Sequence, residues 1–261
     1  LIRCDQVDAV YVATPVYLHC QNVIDSAGAG KHVLVVGASR AGIGAAIARA
    51  FRKSGAEVVI TGLEDAPAPE DRGAFVYHQL DVTDGAAVSA LAQATPALDI
   101  LVNGAAITSR GEEMEPAFFA RVVDVNLGGT FRMAEAFHGH LARNGGSLIN
   151  IASMYAQFGS PRNPAYGASK AALMHLGENL YADLKDTPVR VQTINPGFIT
   201  TRLSSKNDFP MPFIMSPEKA AARVVKAMQS GRFSTSFPAP FSWLFLLGRY
   251  LPLGLFHRLF R

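Results

Sequence analysis

Short runs of Val, Ile and Leu alternate with longer amphipathic stretches from Lys31 onward. The short runs lack a strict alternation of polar and apolar residues, which is typical of strands buried on both faces of a parallel sheet. Strands are predicted at 32–36, 57–61, 75–80, 100–103, 147–152 and 189–194. Helices are predicted at 42–54, 84–94, 115–142, 164–185 and 216–230. This order predicts the α/β class with a doubly wound parallel sheet.

Composition limits the kind of protein that this chain can be. It has 261 residues, of which 49% are hydrophobic and 17% charged, enough for a single large domain with its own core. The net charge of +3 does not indicate a nucleic-acid partner. No signal-peptide pattern is visible at the beginning, so a cytoplasmic location is expected.

The cysteine pattern argues against a disulfide or metal framework. The two cysteines, Cys4 and Cys20, lie in the first twenty residues, and the remaining 241 residues contain none. A reducing compartment is therefore expected. Because no paired Cys or His spacing typical of zinc sites occurs, no metal site is predicted.

A glycine-rich segment follows the first predicted strand and leads into an Ala-rich helix. Glycines allow the backbone to turn tightly and to approach a pyrophosphate, which the free N–H groups of the helix N-terminus would bind. The strand–loop–helix context predicts a dinucleotide site. Its candidate residues are Gly37, Ser39, Arg40, Gly42, Ile43 and Gly44.

A second group of residues could carry acid–base chemistry. Tyr166 and Lys170 are four apart, so they share one face of a helix. A nearby ammonium group is expected to lower the pKa of a phenol from about 10 and make it a general acid or base. Ser153 follows a predicted strand, where open α/β sheets bind ligands. Asn126 is predicted in the middle of a helix, where Asn is a poor helix former, so it is a candidate for a buried role.

These motifs occur in a familiar order. From His32 to about Met228 the chain resembles the short-chain dehydrogenase/reductase family of the compact, single-domain type. The resemblance implies a Rossmann-like fold and an NAD(P) cofactor. It rests on the glycine-rich loop, Asp81-Val82, Asn103 to Ala106, Asn126, Ser153, Tyr166, Lys170, Pro196-Gly197 and Thr200 or Thr201.

The resemblance implies a role for each catalytic candidate. Tyr166 would exchange a proton with the substrate oxygen, and Ser153 would orient the carbonyl group. Lys170 would lower the pKa of Tyr166 and hold the nicotinamide ribose. Asn126 would anchor a water molecule that links Lys170 to solvent. Hydride would pass between the nicotinamide and the substrate carbon.

The resemblance also implies the remaining cofactor contacts. The adenine would be contacted by Asp81 and Val82, which follow the third strand. The adenosine ribose would be contacted by Asn103, Gly104 and Ala105 after the fourth strand. The nicotinamide amide and the phosphates would be contacted by Pro196, Gly197, Ile199 and Thr201 after the sixth strand.

Three departures from the family pattern concern the cofactor. Four residues rather than three separate Gly37 from Gly42, so either Ala38 replaces the first glycine or the loop bulges by one residue. The family's Asn-Asn-Ala-Gly is here Asn103 followed by Gly-Ala-Ala. No Asp or Arg follows the second strand directly. Arg40 favours NADP, whereas Glu64 or Asp65 would favour NAD; the balance favours NADP.

Residues 1–30 fall outside this family pattern and are predicted to form a strand–helix extension of the domain at 31–261. They resemble the cofactor-domain segment of the glucose-fructose oxidoreductase/inositol dehydrogenase group. One hypothesis is a junction in which the last strand of one Rossmann piece has become the first strand of another. The alternative is an ordinary N-terminal extension.

Two apolar segments bear on the substrate and on partners. Phe209, Met211, Phe213 and Met215, with Met154, Tyr155 and Phe158 opposite, indicate an apolar pocket and a hydrophobic substrate, or else core packing. Prolines and Arg249 interrupt the tail at 237–261, so no apolar run in it reaches the roughly twenty residues needed to span a bilayer. It could cover the substrate site, form a subunit contact or lie on a membrane surface.

The sequence thus predicts an NAD(P)-dependent carbonyl reductase or alcohol dehydrogenase acting on a small carbonyl or alcohol substrate. A homodimer or homotetramer is expected. The alternatives are a catalytically silent dinucleotide-binding protein and a reductase associated with the membrane surface.

Overall fold

The computed structural model describes residues 30–157, 159, 162–207, 211–239, 241–243, 250, 252, 254, 255 and 258. Residues 1–29 of the predicted N-terminal extension, with both cysteines, lie outside the described residues, as do Phe158 and Phe209.

In the described part of the chain, seven parallel strands form one sheet. The strands are β1 His32–Val36, β2 Glu57–Gly62, β3 Val76–Gln79, β4 Ile100–Asn103, β5 Ser147–Ile151, β6 Arg190–Pro196 and β7 Ser234–Phe237. Their order in the sheet is β3-β2-β1-β4-β5-β6-β7. The predicted α/β class and doubly wound sheet are confirmed.

The sequence did not predict β7. Its residues Ser-Thr-Ser-Phe are mostly polar and lack the apolar run of a strand buried on both faces. In the described sheet β7 is an edge strand paired with β6, and only its last residue is buried, so it does not need the apolar residues of a central strand.

Among the residues that the structure describes, six α-helices lie between the strands. They are α1 Ile43–Lys53, α2 Gly85–Ala94, α3 Pro116–Val123, α4 Gly129–Asn144, α5 Pro164–Asp183 and α6 Pro217–Gln229. The helix predicted at 115–142 is divided, because a π-helical turn at Asp124–Gly128 joins α3 to α4. Short 3₁₀ turns occur at Pro69–Asp71, Glu112–Met114, Met154–Gln157 and Ser204–Lys206.

The sheet is buried on both faces. Alternate residues of β1 enter different clusters: Val33 and Val35 pack on the side of α1 and α6, and Leu34 and Val36 on the side of α4. Phe51 anchors the first cluster and Phe137 the second, both without solvent exposure. This two-sided burial accounts for the continuous apolar runs of the central strands.

The strand order reverses between β1 and β4, and this reversal determines where a ligand site can form. Val36 at the end of β1 lies in register with Asn103 at the end of β4. In open α/β sheets, the loops leaving the strands at such a point diverge to opposite faces and leave a crevice. The functional site is therefore expected at the carboxyl ends of β1 and β4.

The described beginning of the tail packs on the domain. Phe237 ends β7, and Phe241 is buried against Phe198 and Phe213, with ring centroids 5.6 and 5.9 Å apart. Trp243, in contrast, is 64% exposed. None of the helices in the described ranges is long and apolar enough to cross a membrane.

Candidate active site

A cavity of about 590 Å³ lies at the carboxyl ends of the strands. It brings together most of the residues that the sequence singled out. Among the catalytic and cofactor-binding candidates, Asn103 and Asn126 do not line it. Those that do are Gly37, Ser39, Arg40, Gly42, Ile43, Gly44, Asp81, Val82, Gly104, Ala105, Ser153, Tyr166, Lys170, Pro196, Gly197, Ile199 and Thr201.

The glycine-rich loop packs backbone against backbone. Gly37 has a φ of +81°, and a Cβ atom there would lie 2.6 Å from the backbone of Ala105. A Cβ on Gly44 would lie 2.4 Å from the Gly37 carbonyl oxygen. Side chains are therefore excluded at both positions, and α1 begins directly against the strand end.

The extra residue of this loop is accommodated at the end of β1. The N–H groups of Gly37 and Ala38 both donate to the Thr61 carbonyl oxygen, at 3.1 and 2.8 Å. Two successive donors on one acceptor are typical of a bulge, so the geometry favours the bulged alternative. Gly42, at the N-cap of α1, has no side chain to cap the helix, which leaves the N-terminal N–H groups to a ligand.

Asn103 does not line the cavity, which corrects the expected contact with the adenosine ribose. Its Nδ2 donates to Oδ1 of Asn150 at 3.1 Å, and the two residues lie in register on β4 and β5. The side chain thus ties neighbouring strands together. The next residue, Gly104, donates its N–H to the Val36 carbonyl at 3.0 Å and does face the cavity.

The three catalytic candidates lie on adjoining elements. Ser153 follows β5, and Tyr166 and Lys170 occupy successive turns of α5. Ser153 hydrogen-bonds to Tyr166 and also accepts the N–H of Tyr155 at 3.2 Å. Lys170 is buried, and its Nζ donates to the Ile151 carbonyl at 2.8 Å.

The pKa of Tyr166 differs from the expected direction. Burial raises it to about 12, and the hydrogen bond from Ser153 only partly opposes this; Tyr155 and Glu113 raise it further. Burial lowers the pKa of Lys170 to about 8. Lys170 lies over the Tyr166 ring, 5.8 Å from its centroid, and hydrogen-bonds to a carbonyl. Desolvation therefore dominates, and Tyr166 holds its proton at neutral pH.

Asn126 lies in the π-helical turn and not in a regular helix, and it has no solvent exposure. Its Oδ1 accepts the N–H of Ile107 at 2.8 Å. Its Nδ2 donates to the Ile107 carbonyl and to Oγ of Ser169, each at 3.1 Å. The side chain therefore fixes the loop after β4 to α5. Its role in anchoring a water molecule stays a prediction.

Sequence reasoning missed Glu113, a buried carboxylate in the loop after β4. One oxygen accepts Oγ1 of Thr108 at 2.5 Å and the N–H of Ser109 at 3.2 Å. The other accepts the N–H of Tyr166 at 2.9 Å. The position of Glu113 in a run of acidic residues resembles a solvated surface, so only the fold identifies it.

Glu64 lies where the adenosine end of a dinucleotide is expected, and its carboxylate accepts hydrogen bonds from Ser39 and Arg40. Burial alone would raise the pKa of Glu64, but these hydrogen bonds, one from its own backbone and the charge of Arg40 lower it overall. Ser39 and Arg40 thus converge on one anionic group. The sequence named all three residues but not their contact.

Of the described residues predicted for the apolar roof, Met211, Phe213 and Met215 do not line the cavity, whereas Tyr155, predicted opposite them, does. Met154 and Met215 are buried, and Met215 belongs to the core cluster beside α6. Phe213 is exposed on its outer side. Two aromatic side chains, Tyr155 and Phe198, do line the cavity, together with the polar side chains of Thr108, Asn163 and Asn207.

The fold and this cavity define a class of protein: a Rossmann-like domain with its ligand site at the switch point of the sheet. A family model described as short chain dehydrogenase matches residues 31–209. The chain therefore belongs to the short-chain dehydrogenase/reductase family.

Relatives of this chain are named as dehydrogenases. The chain is 37% identical to a D-threitol dehydrogenase of Mycolicibacterium smegmatis over 191 residues, which are 68% of this chain and 73% of that protein. It is 30% identical to glucose 1-dehydrogenase 2 of Bacillus subtilis, over 74% of this chain and 85% of that one.

Solved structures show the same fold. A short-chain dehydrogenase from Burkholderia cenocepacia, in complex with NADP, superposes with a TM-score of 0.78 at 26% identity, covering 88% of this chain and 97% of that one. Together with the family match, these relatives identify the chain as an NAD(P)-dependent oxidoreductase.

Proposed function

We propose that this oxidoreductase transfers hydride between the nicotinamide and a carbonyl or secondary alcohol carbon, with Tyr166 exchanging the proton. One observation carries this proposal: Ser153, Tyr166 and Lys170 line the same cavity as the glycine-rich loop. A hydride donor bound along that loop would thus share a site with a proton donor.

The cavity suits a dinucleotide. The glycines let the loop pack directly against neighbouring backbone, and the N-terminus of α1, which has no side-chain cap, offers N–H groups to a pyrophosphate. Residues after β3 would contact the adenine, and residues 196–201 after β6 would contact the nicotinamide end. When bound, the cofactor supplies or accepts the hydride.

The protein's own residues would handle the proton. In the direction of carbonyl reduction, the Tyr166 hydroxyl hydrogen-bonds to the carbonyl oxygen and donates its proton as the alcohol forms. The raised pKa of Tyr166 ensures that this proton is present at neutral pH. Ser153 provides a second hydrogen bond that orients the carbonyl, and Lys170 places a positive charge below the phenol ring.

We propose NADP as the preferred cofactor. Ser39 and Arg40 already converge on a carboxylate, so their donors are arranged for an anion such as a 2′-phosphate. To bind a 2′-phosphate, Arg40 must leave its ion pair with Glu64. This pair is partly exposed and contributes only about 0–1 kcal/mol to stability. A charge-assisted hydrogen bond to phosphate, at about 1.5–3 kcal/mol, outweighs that cost.

The substrate class follows the shape of the cavity. Because Met211, Phe213 and Met215, three residues expected to form an apolar roof, do not line the cavity, we do not propose a hydrophobic substrate. The D-threitol and glucose named for two relatives are polyhydroxylated. We propose a small carbonyl compound or secondary alcohol that carries polar groups.

The test is Tyr166→Phe, with Tyr181→Phe as the matched control because Tyr181 lies on the exposed side of the same helix. Oxidation of NADPH and NADH is followed with a panel of aldehydes and ketones. The first variant should lose about 100-fold or more of kcat, and the control should not. Full activity in Tyr166→Phe would refute the proton-transfer role. Cofactor binding without turnover of any carbonyl would favour the catalytically silent alternative.

A second candidate is a reductase that associates with membrane surfaces. After Glu218 the sequence contains seven Lys and Arg residues and no acidic residue. Trp243 and Tyr250 are exposed, as aromatic residues at a lipid interface would be. Flotation with anionic vesicles tests it: Trp243→Ser should reduce co-flotation of the full chain.

The homodimer or homotetramer stays a prediction that light scattering can check.

A further inference from the structure

Asn163 stands at the N-cap of the catalytic helix α5 and does not cap it. An Asn at this position ordinarily accepts a hydrogen bond from the N–H of the second or third helical residue. Here the side chain makes no such bond. Asn163 is only 9% exposed, and its Oδ1 has no hydrogen-bond partner in the described part of the chain.

Another residue has taken over the capping. The third helical residue is Tyr166, and its N–H donates to Glu113. Because that carboxylate comes from the loop after β4, the amide of Asn163 is released from its usual task. A buried polar group without a partner costs about 1–3 kcal/mol. Such a group calls for an explanation, and binding a ligand is one.

The position of Asn163 favours the substrate as that ligand. Asn163 lines the same cavity as Ser153 and Tyr166 and lies one helical turn before Tyr166. Aromatic rings form another part of the lining, since Tyr155 and Phe198 contact each other edge to face with centroids 6.0 Å apart. The lining thus combines apolar surface with a residue near the proton donor whose buried amide oxygen has no partner in the described part of the chain.

We propose that Asn163 binds a hydroxyl group of the substrate next to the reacting carbon, so that the enzyme selects hydroxylated carbonyl compounds over their deoxy analogues. This inference rests on the proposed function, because it places the reacting carbon at Tyr166. The amide provides both an acceptor and donors, and a hydroxyl group can use either. A substrate without the hydroxyl group would leave the buried amide unpaired, which is the usual basis of such selectivity.

The experiment compares matched substrate pairs that differ by one hydroxyl group. The probes are 3-hydroxybutan-2-one against butan-2-one and 2-hydroxycyclohexanone against cyclohexanone, reduced with NADPH and with NADH. Wild-type enzyme should have the higher kcat/KM for each hydroxyketone. In Asn163→Leu the ratio of kcat/KM for hydroxyketone over ketone should fall about 10- to 100-fold. The change should appear mainly in KM.

Two further variants separate recognition from a structural role. Asn163→Asp retains an acceptor and should recover part of the ratio. Asn144→Leu makes the same change at the exposed end of α4 and should leave the ratio unchanged. The Tm of Asn163→Leu should not fall, because the buried oxygen has no hydrogen bond to lose.

The outcomes distinguish this inference from the proposed function. If no carbonyl compound oxidises either cofactor, the proposed function fails. If the ketones are reduced but the hydroxyketones have no advantage, the inference alone is overturned. It is also overturned if Asn163→Leu lowers kcat/KM equally for both members of each pair, with a lower Tm, because Asn163 would then be a structural residue.

Discussion

Glu113 accepts a hydrogen bond from the backbone N–H of Tyr166 at 2.9 Å, and the carboxylate is buried. Its other oxygen is held by Thr108 and Ser109. One side chain therefore connects the loop after β4 to the first turn of the catalytic helix. The carboxylate also acts on the phenol, because its negative charge contributes to the raised pKa of Tyr166.

Glu113→Gln should impair this connection without a large change in volume. The amide can accept only through its single oxygen, so at least one of the donors now held by the carboxylate loses its partner. We expect the free energy of unfolding to fall by about 1–3 kcal/mol and kcat to fall with little change in KM. The limb of the pH–rate profile that reports the pKa of Tyr166 should move to lower pH. Glu112→Gln, at the exposed neighbouring position, is the control. An unmoved pKa limb would show that Glu113 has a structural role only.

The buried Lys170 predicts an unusual pH dependence of stability. Its pKa is about 8 in the folded protein and 10.5 ordinarily. Between these values the unfolded chain binds a proton that the folded protein does not, so stability should rise with pH. Tyr166 acts oppositely: its pKa is raised from 10.0 to about 12, so its contribution is lost as the pH rises through that interval. The two groups together predict a maximum near pH 10.

Comparison of Lys170→Met with the wild type isolates the contribution of Lys170 to the pH dependence of stability. At pH 7 the charged lysine destabilises the folded state by about 3 kcal/mol, a cost that methionine removes. The difference in free energy of unfolding between variant and wild type should therefore shrink by about 2 kcal/mol from pH 7 to pH 10. Urea unfolding at both pH values measures it, with the exposed Lys226→Met as control. A constant difference would contradict the lowered pKa of Lys170.

The contact of Arg40 and Ser39 with Glu64 predicts how cofactor preference responds to mutation. In Glu64→Gln the neutral amide holds both donors less strongly, so they turn more readily to a 2′-phosphate, and the repulsion between carboxylate and phosphate is removed. The ratio of Kd for NADH to Kd for NADPH should rise about 10-fold, and in Arg40→Ala it should fall by a similar factor. Fluorescence titration of both cofactors measures the ratio. Equal effects of Arg40→Ala on both cofactors would place the 2′-phosphate elsewhere.

The sequence predicted the fold and most of the cavity lining, because both depend on local patterns. Apolar runs identified six of the seven strands, and motif spacing brought the glycine-rich loop and Tyr166 to one crevice. The missed features depend on contacts across the fold. Nothing in the local sequence indicates that Glu113 caps α5 in place of Asn163, or that Asn103 faces Asn150 and not a ligand. Burial, which reversed the expected pKa shift of Tyr166, also becomes visible only in three dimensions.

The π-helical turn that contains Asn126 should depend on the hydrogen bonds of that side chain. Asn126→Asp keeps the size of the side chain and the acceptor for the Ile107 N–H, but it loses the donor to the Ile107 carbonyl and to Ser169. Because this site is fully buried, an ionised carboxylate facing a carbonyl oxygen should cost about 2–4 kcal/mol of the free energy of unfolding. Activity should fall too, since Ile107 and Thr108 line the cavity. Urea unfolding and steady-state kinetics measure both effects, with the exposed Asn144→Asp as control. Wild-type stability in Asn126→Asp would show that the turn does not depend on these hydrogen bonds.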